Sequence, residues 1–277
     1  MKIKTILLWL TLLVLASCTS RTEPIPVLAP ELAVTPANAD WWRPEPGLTW
    51  QWQLTGLPIV TTIEADVYEI DLFESDAGTV EELQDKGRKV ICYLSAGSWE
   101  DWRPDADKFP EEVIGKDYEG WQGEKWLDIR RIDLLAPIMR ERLDLCKAKG
   151  FDGVEPDNID IHLNDTGFPL TYADQFAYAK WLADEAHARG LAIGIKNAPE
   201  MIIDALACFD FAITEDAFYQ GWAEKTLPLI KAGKAIFAAE YTDTGMDFQL
   251  ACQWGKANGV SIIQKDRDLT SFRAVCP

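Results

Sequence analysis

The sequence predicts an α/β protein, specifically a (β/α)8 TIM barrel with an irregular first connection. Three observations carry that expectation. Apolar, β-branched runs of strand length recur along the chain, and helical patterns separate most of them. Several of those helices stop at a glycine just before the next strand, at Gly87, Gly150, Gly190, Gly233 and Gly259. Strand, helix, glycine, strand is the rhythm of right-handed parallel crossovers. Eight such strands in a chain of this length suit a closed barrel.

In order, strands are expected at 49–54, 67–72, 89–95, 153–156, 192–196, 211–214, 235–239 and 261–264. Helices are expected at 80–86, 134–149, 172–189, 199–206, 222–232 and 248–258. The first connection, around 56–66, is too short for an ordinary helix, so an irregular corner is expected there. No internal repeat is visible.

The N-terminus reads as an address. Lys2 and Lys4 form a basic start, Ile6 to Leu15 is a short apolar core, and Leu15-Ala16-Ser17-Cys18 resembles a bacterial lipobox. The apolar run is too short for a comfortable span. Residues 1–17 are therefore expected to be a lipoprotein signal peptide, with Cys18 carrying the lipid anchor to the membrane. No Asp follows Cys18 directly, which suggests the outer membrane of a Gram-negative cell envelope. Residues 18–40 hold Pro24, Pro26, Pro30 and Pro36 among small polar residues, a linker composition. One domain is expected over 41–277.

The formal net charge is −18. That argues against nucleic acid as a partner and favours cationic ligands. Of the 12 tryptophans, Trp41, Trp42, Trp50, Trp52, Trp99, Trp102, Trp121 and Trp126 crowd the first half of the chain, where rings at a cleft could stack on sugar faces. An exported compartment permits disulfides. Cys252 could pin Cys276, and Cys92 on a strand could meet Cys146 on the helix after it. The only histidines are His162 and His187, too little material for zinc or a Ser-His-Asp triad. His187 is expected to lie solvated on a helix.

The segment from Gly150 to Asp160 is the most informative stretch. Side chains two apart on a strand share a face, so Glu155 and Asp157 point the same way just where the strand leaves the sheet. Two neighbouring acids repel, so they need a use or a compensating cation. Other expected strand ends carry polar groups as well: Asp71, Tyr93, Asn158, Lys196, Asn197, Glu215, Asp216, Glu240, Tyr241 and Lys265. Convergence of such ends on one barrel mouth marks a site. Paired carboxylates without a phosphate loop suit glycoside hydrolysis. A rival reading is Mg²⁺ or Ca²⁺ bound by the acids, with Lys196 and Lys265 as competing counter-charges. No cofactor is expected.

The stretches 52–54, 68–71, 90–97, 151–158, 194–197 and 213–216 resemble glycoside hydrolase family 114, over essentially all of 41–277. Gly-Val-Glu-Pro-Asp-Asn at 153–158 is the most specific piece. The resemblance implies a (β/α)8 endo-α-1,4-polygalactosaminidase acting on a cationic or partly acetylated galactosamine polysaccharide. It also implies two catalytic carboxylates at the ends of strands 4 and 6, here Asp157 and Glu215, with Glu155 the substitute if the register slips. Asp71, Tyr93, Glu155, Asn158, Lys196, Asn197, Glu240 and Tyr241 are then the candidate substrate-binding residues. Asp157 is expected ionised. Glu215 is expected to be a general acid whose pKa is raised, with Asp216 facing outward to solvent. A lipid-anchored barrel that binds polysaccharide without cleaving it, or serves envelope assembly, is the alternative.

Overall fold

The structure, a computed structural model, describes residues 41–277. The expected signal peptide, Cys18 and the linker lie outside the described residues.

In chain order, β1 (Trp50–Gln53) and β2 (Val67–Asp71) lead into α1 (Ala77–Asp85) and β3 (Lys89–Ser95). An insertion follows, with three short strands: β4 (Ser98–Glu100), β5 (Ile114–Asp117) and β6 (Glu124–Leu127). Next come α2 (Ile132–Lys149), β7 (Gly153–Asp157), α3 (Tyr172–Ala188) and β8 (Ala192–Lys196). The chain continues through α4 (Ile202–Ala205), β9 (Phe211–Glu215), α5 (Leu227–Lys231) and β10 (Ile236–Tyr241). It ends with α6 (Phe248–Asn258), β11 (Ser261–Lys265) and the two-residue β12 (Ala274–Val275).

The main sheet runs β1-β2-β3-β7-β8-β9-β10-β11-β12. It is parallel as far as β11, so the eight expected strands follow one another around the barrel. No ladder joins β11 to β1. The C-terminal segment bridges that seam instead. β12 pairs antiparallel with β11, the Arg273 guanidinium donates to Trp50 O at 2.7 Å, and Leu54 N donates to Leu269 O at 2.9 Å. The Cys252–Cys276 disulfide ties this segment to α6, and Cys92–Cys146 ties β3 to α2, both as expected. Cys208 is free.

Strand alternation sorts the core into two layers. Trp50, Trp52, Val67, Ile91, Phe211, Ile213 and Phe237 form one buried cluster inside the strands. Tyr68, Ile70, Val90, Cys92 and Val154 belong to the other cluster, packed with residues of α2 and α3 such as Leu143 and Leu182. The helix stops follow the expected chemistry. At the end of α2, Gly150 adopts φ +93°, and its N–H reaches the carbonyls of Cys146 and Lys147. Thr171 and Asp174 form a capping box that starts α3.

One expectation is borne out with a detail the sequence did not show, and two need correction. The first connection is indeed helix-free, but a side chain organises it: Gln53 donates to Thr55 O and Gly56 O and accepts from Val60 N. The helix expected at 222–232 splits into a 3-10 turn (Ala223–Thr226) and the short α5. His187 is not free in solvent. Its ring stacks on Trp41 at 4.0 Å and its Nε2 sits 2.8 Å from Asp210. The antiparallel sheet β4-β6-β5 was not foreseen, because its strands are only three or four residues long.

Candidate active site

The site is built at the ends of β7, β8 and β9. At each end the last strand residue carries the charge, and the next residue turns the chain away with a positive φ. These pairs are Asp157 then Asn158 (φ +63°), Lys196 then Asn197 (φ +47°), and Glu215 then Asp216 (φ +50°). Asn and Asp are the non-glycine residues that tolerate this left-handed conformation best. The repeated acid-or-lysine followed by Asn or Asp is thus a backbone requirement as well as a chemical one. Strained backbone of this kind clusters at functional sites. Gly97, at the end of β3, completes the rim. A Cβ there would lie 1.7 Å from the Asn158 carbonyl oxygen, so no other residue fits.

Lys196 is the centre. Its side chain is 1 % exposed, and its Nζ lies 2.5 Å from Glu155, 3.1 Å from Asp157 and 3.3 Å from Glu215. This is the compensating cation that the two neighbouring acids demand. Burial alone would depress the ammonium, but Asp157, Glu155 and Glu215 raise it well above the ordinary lysine value. Its Nζ also lies 4.8 Å over the Trp52 ring, inside the barrel. The nearest Asp157 and Glu215 oxygens can be no farther apart than the two legs to Nζ laid end to end, about 6.4 Å.

Asp157 and Glu215 are both partly open, with side chains 17 % and 29 % exposed, whereas Glu155 is fully buried. Each open carboxylate is gripped by a tyrosine. Tyr93 donates to Asp157 Oδ2 at 3.0 Å, and Tyr241 donates to Glu215 Oε1. Asn158 N donates to Asp157 Oδ1 at 2.8 Å. Asn197 donates through its amide to Glu215 and accepts from the Glu215 backbone N–H at 3.0 Å. Burial pushes Glu215 up. Lys196 and the hydrogen bonds from Tyr241 and Asn197 outweigh it and hold the carboxyl below the usual glutamate value. The expectation of a raised Glu215 is therefore corrected: Lys196, Asn197 and Tyr241 were legible as strand-end candidates, but not that all three aim at Glu215. Glu155 is raised instead, pushed to about 8 by burial against the pull of Lys196 and with the push of Asp157.

Other candidates fall outside the open site. Asp71 is 4 % exposed and fully committed: Arg103 pairs with it, and Phe73 N and Glu74 N donate to it. It anchors the turn after β2 to the insertion and offers nothing to a ligand. Glu240 points to the opposite face of β10 from Tyr241 and accepts from Phe218 N and Tyr219 N, holding the loop after β9. Asn158 is buried, and its amide donates to Ser95 and Ser98 behind Asp157. Asp216 does not face solvent. It is buried, accepting from Tyr241 N and from Arg267. Lys265 is not a counter-charge in the site, because it donates to Thr270 O and Phe272 O in the loop beyond β11.

The insertion supplies residues the sequence reading did not single out. Glu124 accepts from Ser98 Oγ at 2.7 Å, and burial and the neighbouring charges of Glu100 and Asp157 raise it to about 7. Tyr118 stacks on Trp126 at 4.0 Å. Burial and then the charges of Asp157, Asp160 and Glu215 raise its hydroxyl. Asp160, just past β7, is raised to about 6 by burial and Asp157. The tryptophan-rich composition of 99–126 was the available signal. Among the described residues no group of three or more His, Cys, Asp or Glu is arranged to hold a metal ion.

Comparison with known proteins agrees with this geometry. The model of glycoside-hydrolase family GH114 matches residues 31–277. The crystal structure of Aspergillus fumigatus Ega3 in complex with galactosamine superposes with a TM-score of 0.80 at 36 % identity, covering 85 % of this chain and 97 % of that one. The glycoside hydrolase domain of PelA from Pseudomonas aeruginosa shares the fold, with a TM-score of 0.65 at 14 % identity over 83 % of this chain and 99 % of that one. A protein of Deinococcus radiodurans described as uncharacterized is 27 % identical over 298 residues, covering 94 % of this chain and 96 % of that protein. A barrel with two lysine-bridged carboxylates at its mouth, matched by that family model along nearly its whole length, belongs to glycoside hydrolase family GH114.

Proposed function

We propose that this glycoside hydrolase cleaves α-1,4-linked, galactosamine-containing polysaccharide within the chain, with Asp157 as nucleophile and Glu215 as the acid that protonates the leaving oxygen. The observation that carries the pairing is the Lys196 bridge, which keeps the nearest oxygens of the two carboxylates within about 6.4 Å of each other. A lysine-bridged pair can sit at the roughly 5–5.5 Å carboxyl separation of retaining enzymes, and with Asp157 as nucleophile the proposed route is the covalent glycosyl-enzyme one. The substrate reading rests on the galactosamine held by the similar Ega3 and on chemistry. The chain carries 45 acidic against 27 basic residues, so a polymer bearing ammonium groups is attracted.

The test is incubation with a galactosamine-rich polymer, followed by NMR of the earliest reducing ends. Oligomers with the α configuration are expected. Release of β-anomers first would overturn the covalent route, and no oligomers at all would remove the substrate assignment.

The lipobox-like Leu15-Ala16-Ser17-Cys18 supports a lipid anchor in a bacterial envelope. Wild-type protein expressed in a bacterial host should partition into the detergent phase, and Cys18→Ala should not. Equal partitioning of the two would end that reading.

A further inference from the structure

We propose that Arg267 is a positioning residue of this active site, which fixes Tyr241 so that its hydroxyl stays aimed at Glu215. This rests on the functional reading above and extends it to a residue in the loop after β11.

The guanidinium carbon lies over the Tyr241 ring, 3.8 Å from its centroid. Its edge is held from two sides. Arg267 Nε and Nη2 grip Asp243 at 3.0 and 2.7 Å in a two-pronged pair, and Nη2 also reaches Asp216 Oδ2 at 3.0 Å. The other oxygen of Asp216 accepts from the Tyr241 backbone N–H at 2.9 Å. One planar cation thus ties together the turns after β9, β10 and β11 and presses on the face of the tyrosine that donates to Glu215. Asp216, the residue for which an outward orientation was expected, is one leg of this clamp.

An exposed ion pair by itself contributes little. Here the fork geometry and the ring it covers fix an orientation, which a flexible ammonium would not do. The Tyr241 phenol is 1 % exposed, while the Arg267 side chain is 45 % exposed, so the clamp closes over the tyrosine from the solvent side. The charged and titratable groups around Glu215 are Lys196 on β8, Asp157 and Glu155 on β7, Asp160 after it, Tyr118 of the insertion, and Tyr241 on β10. Of these Tyr241 is in contact with Arg267, and so is Asp216, the residue after Glu215.

The experiment is a double-mutant cycle read at Glu215 itself. Protein labelled at the glutamate carboxyl carbon is titrated by NMR, with the Glu215 signal assigned by its loss in Glu215→Gln. Tyr241→Phe removes one donor to the carboxylate and should raise its titration midpoint by roughly one pH unit. Arg267→Lys, which keeps the positive charge but loses the planar fork, should raise it in the same direction. Tyr241→Phe/Arg267→Lys should go no further than Tyr241→Phe alone, because with the charge kept the remaining effect passes through the tyrosine. Asp243→Asn, which loosens the same guanidinium from its exposed side, should produce a smaller rise and serves if Arg267→Lys does not fold. Additive rises, or an unchanged midpoint in Arg267→Lys or Asp243→Asn, would overturn the proposal. Since the titration needs no substrate, an active Glu215→Gln enzyme would refute the catalytic reading and leave this result to stand or fall by itself.

Discussion

Asp157→Asn and Glu215→Gln are each expected to lose at least about a thousandfold in kcat/KM on a galactosamine oligomer while remaining folded, since each deletes one of the two groups on which the chemistry depends. The two losses differ in kind. An aryl glycoside with a good leaving group needs little protonation, so Glu215→Gln should recover most of its activity on such a substrate. Asp157→Asn should not, because the nucleophile is missing whatever the leaving group. Near-normal turnover of Glu215→Gln on the oligomer would remove it as the acid and turn suspicion to Glu155, the raised carboxyl beneath it. The pH dependence has a definite sign. Glu215 is held below the ordinary glutamate value in the free protein, and a general acid works only when protonated. The kcat/KM profile should therefore fall as pH rises through and above the ordinary glutamate range, which gives an acidic optimum. A profile flat from pH 5 to pH 8 would contradict this.

Lys196→Met should be the most damaging single change to the fold around the site. Lys196 is the cation shared by three carboxylates, one of which, Glu155, is fully buried. Removing one partner of a buried ionic cluster costs about 3–5 kcal/mol, because the remaining charges lose their compensation. Equilibrium denaturation should show a loss of that size, and activity should vanish with it. Asp157→Asn in the Lys196→Met background should recover part of the stability, since a neutral amide removes one uncompensated acid. Glu155→Gln alone should be mild, because the raised Glu155 already holds a proton through much of the neutral range. A Lys196→Met protein within about 1 kcal/mol of wild type would show that the ammonium is not what holds these acids together.

The barrel was legible before any coordinates. Its strands are apolar runs that leave no ambiguity of type, and glycines such as Gly150 mark where each helix must reverse. Strand periodicity also placed Glu155 and Asp157 on one face and made their mutual repulsion predictable. The Cys92–Cys146 and Cys252–Cys276 bonds followed from which strand and helix are neighbours in the chain.

What each acid does was not legible, because that depends on partners far away in sequence. Asp71 reads like an active-site carboxylate until Arg103, 32 residues on, closes over it. Glu240 and Tyr241 are adjacent in the chain but face opposite sides of β10, and only the packed loop of Phe218 and Tyr219 shows which side holds the site. Asp216 looks like a surface acid and is a buried leg of the Arg267 clamp. The protonation of Glu215 was misjudged for the same reason. Burial raises a carboxyl and donors lower it, and the sequence announces burial at a strand end but not the lysine, tyrosine and asparagine that converge from β8 and β10. Secondary structure and residue inventory are local properties that a chain carries in its own spacing. Charge state and ligand access are decided by three-dimensional neighbours, which only the closed barrel assembles.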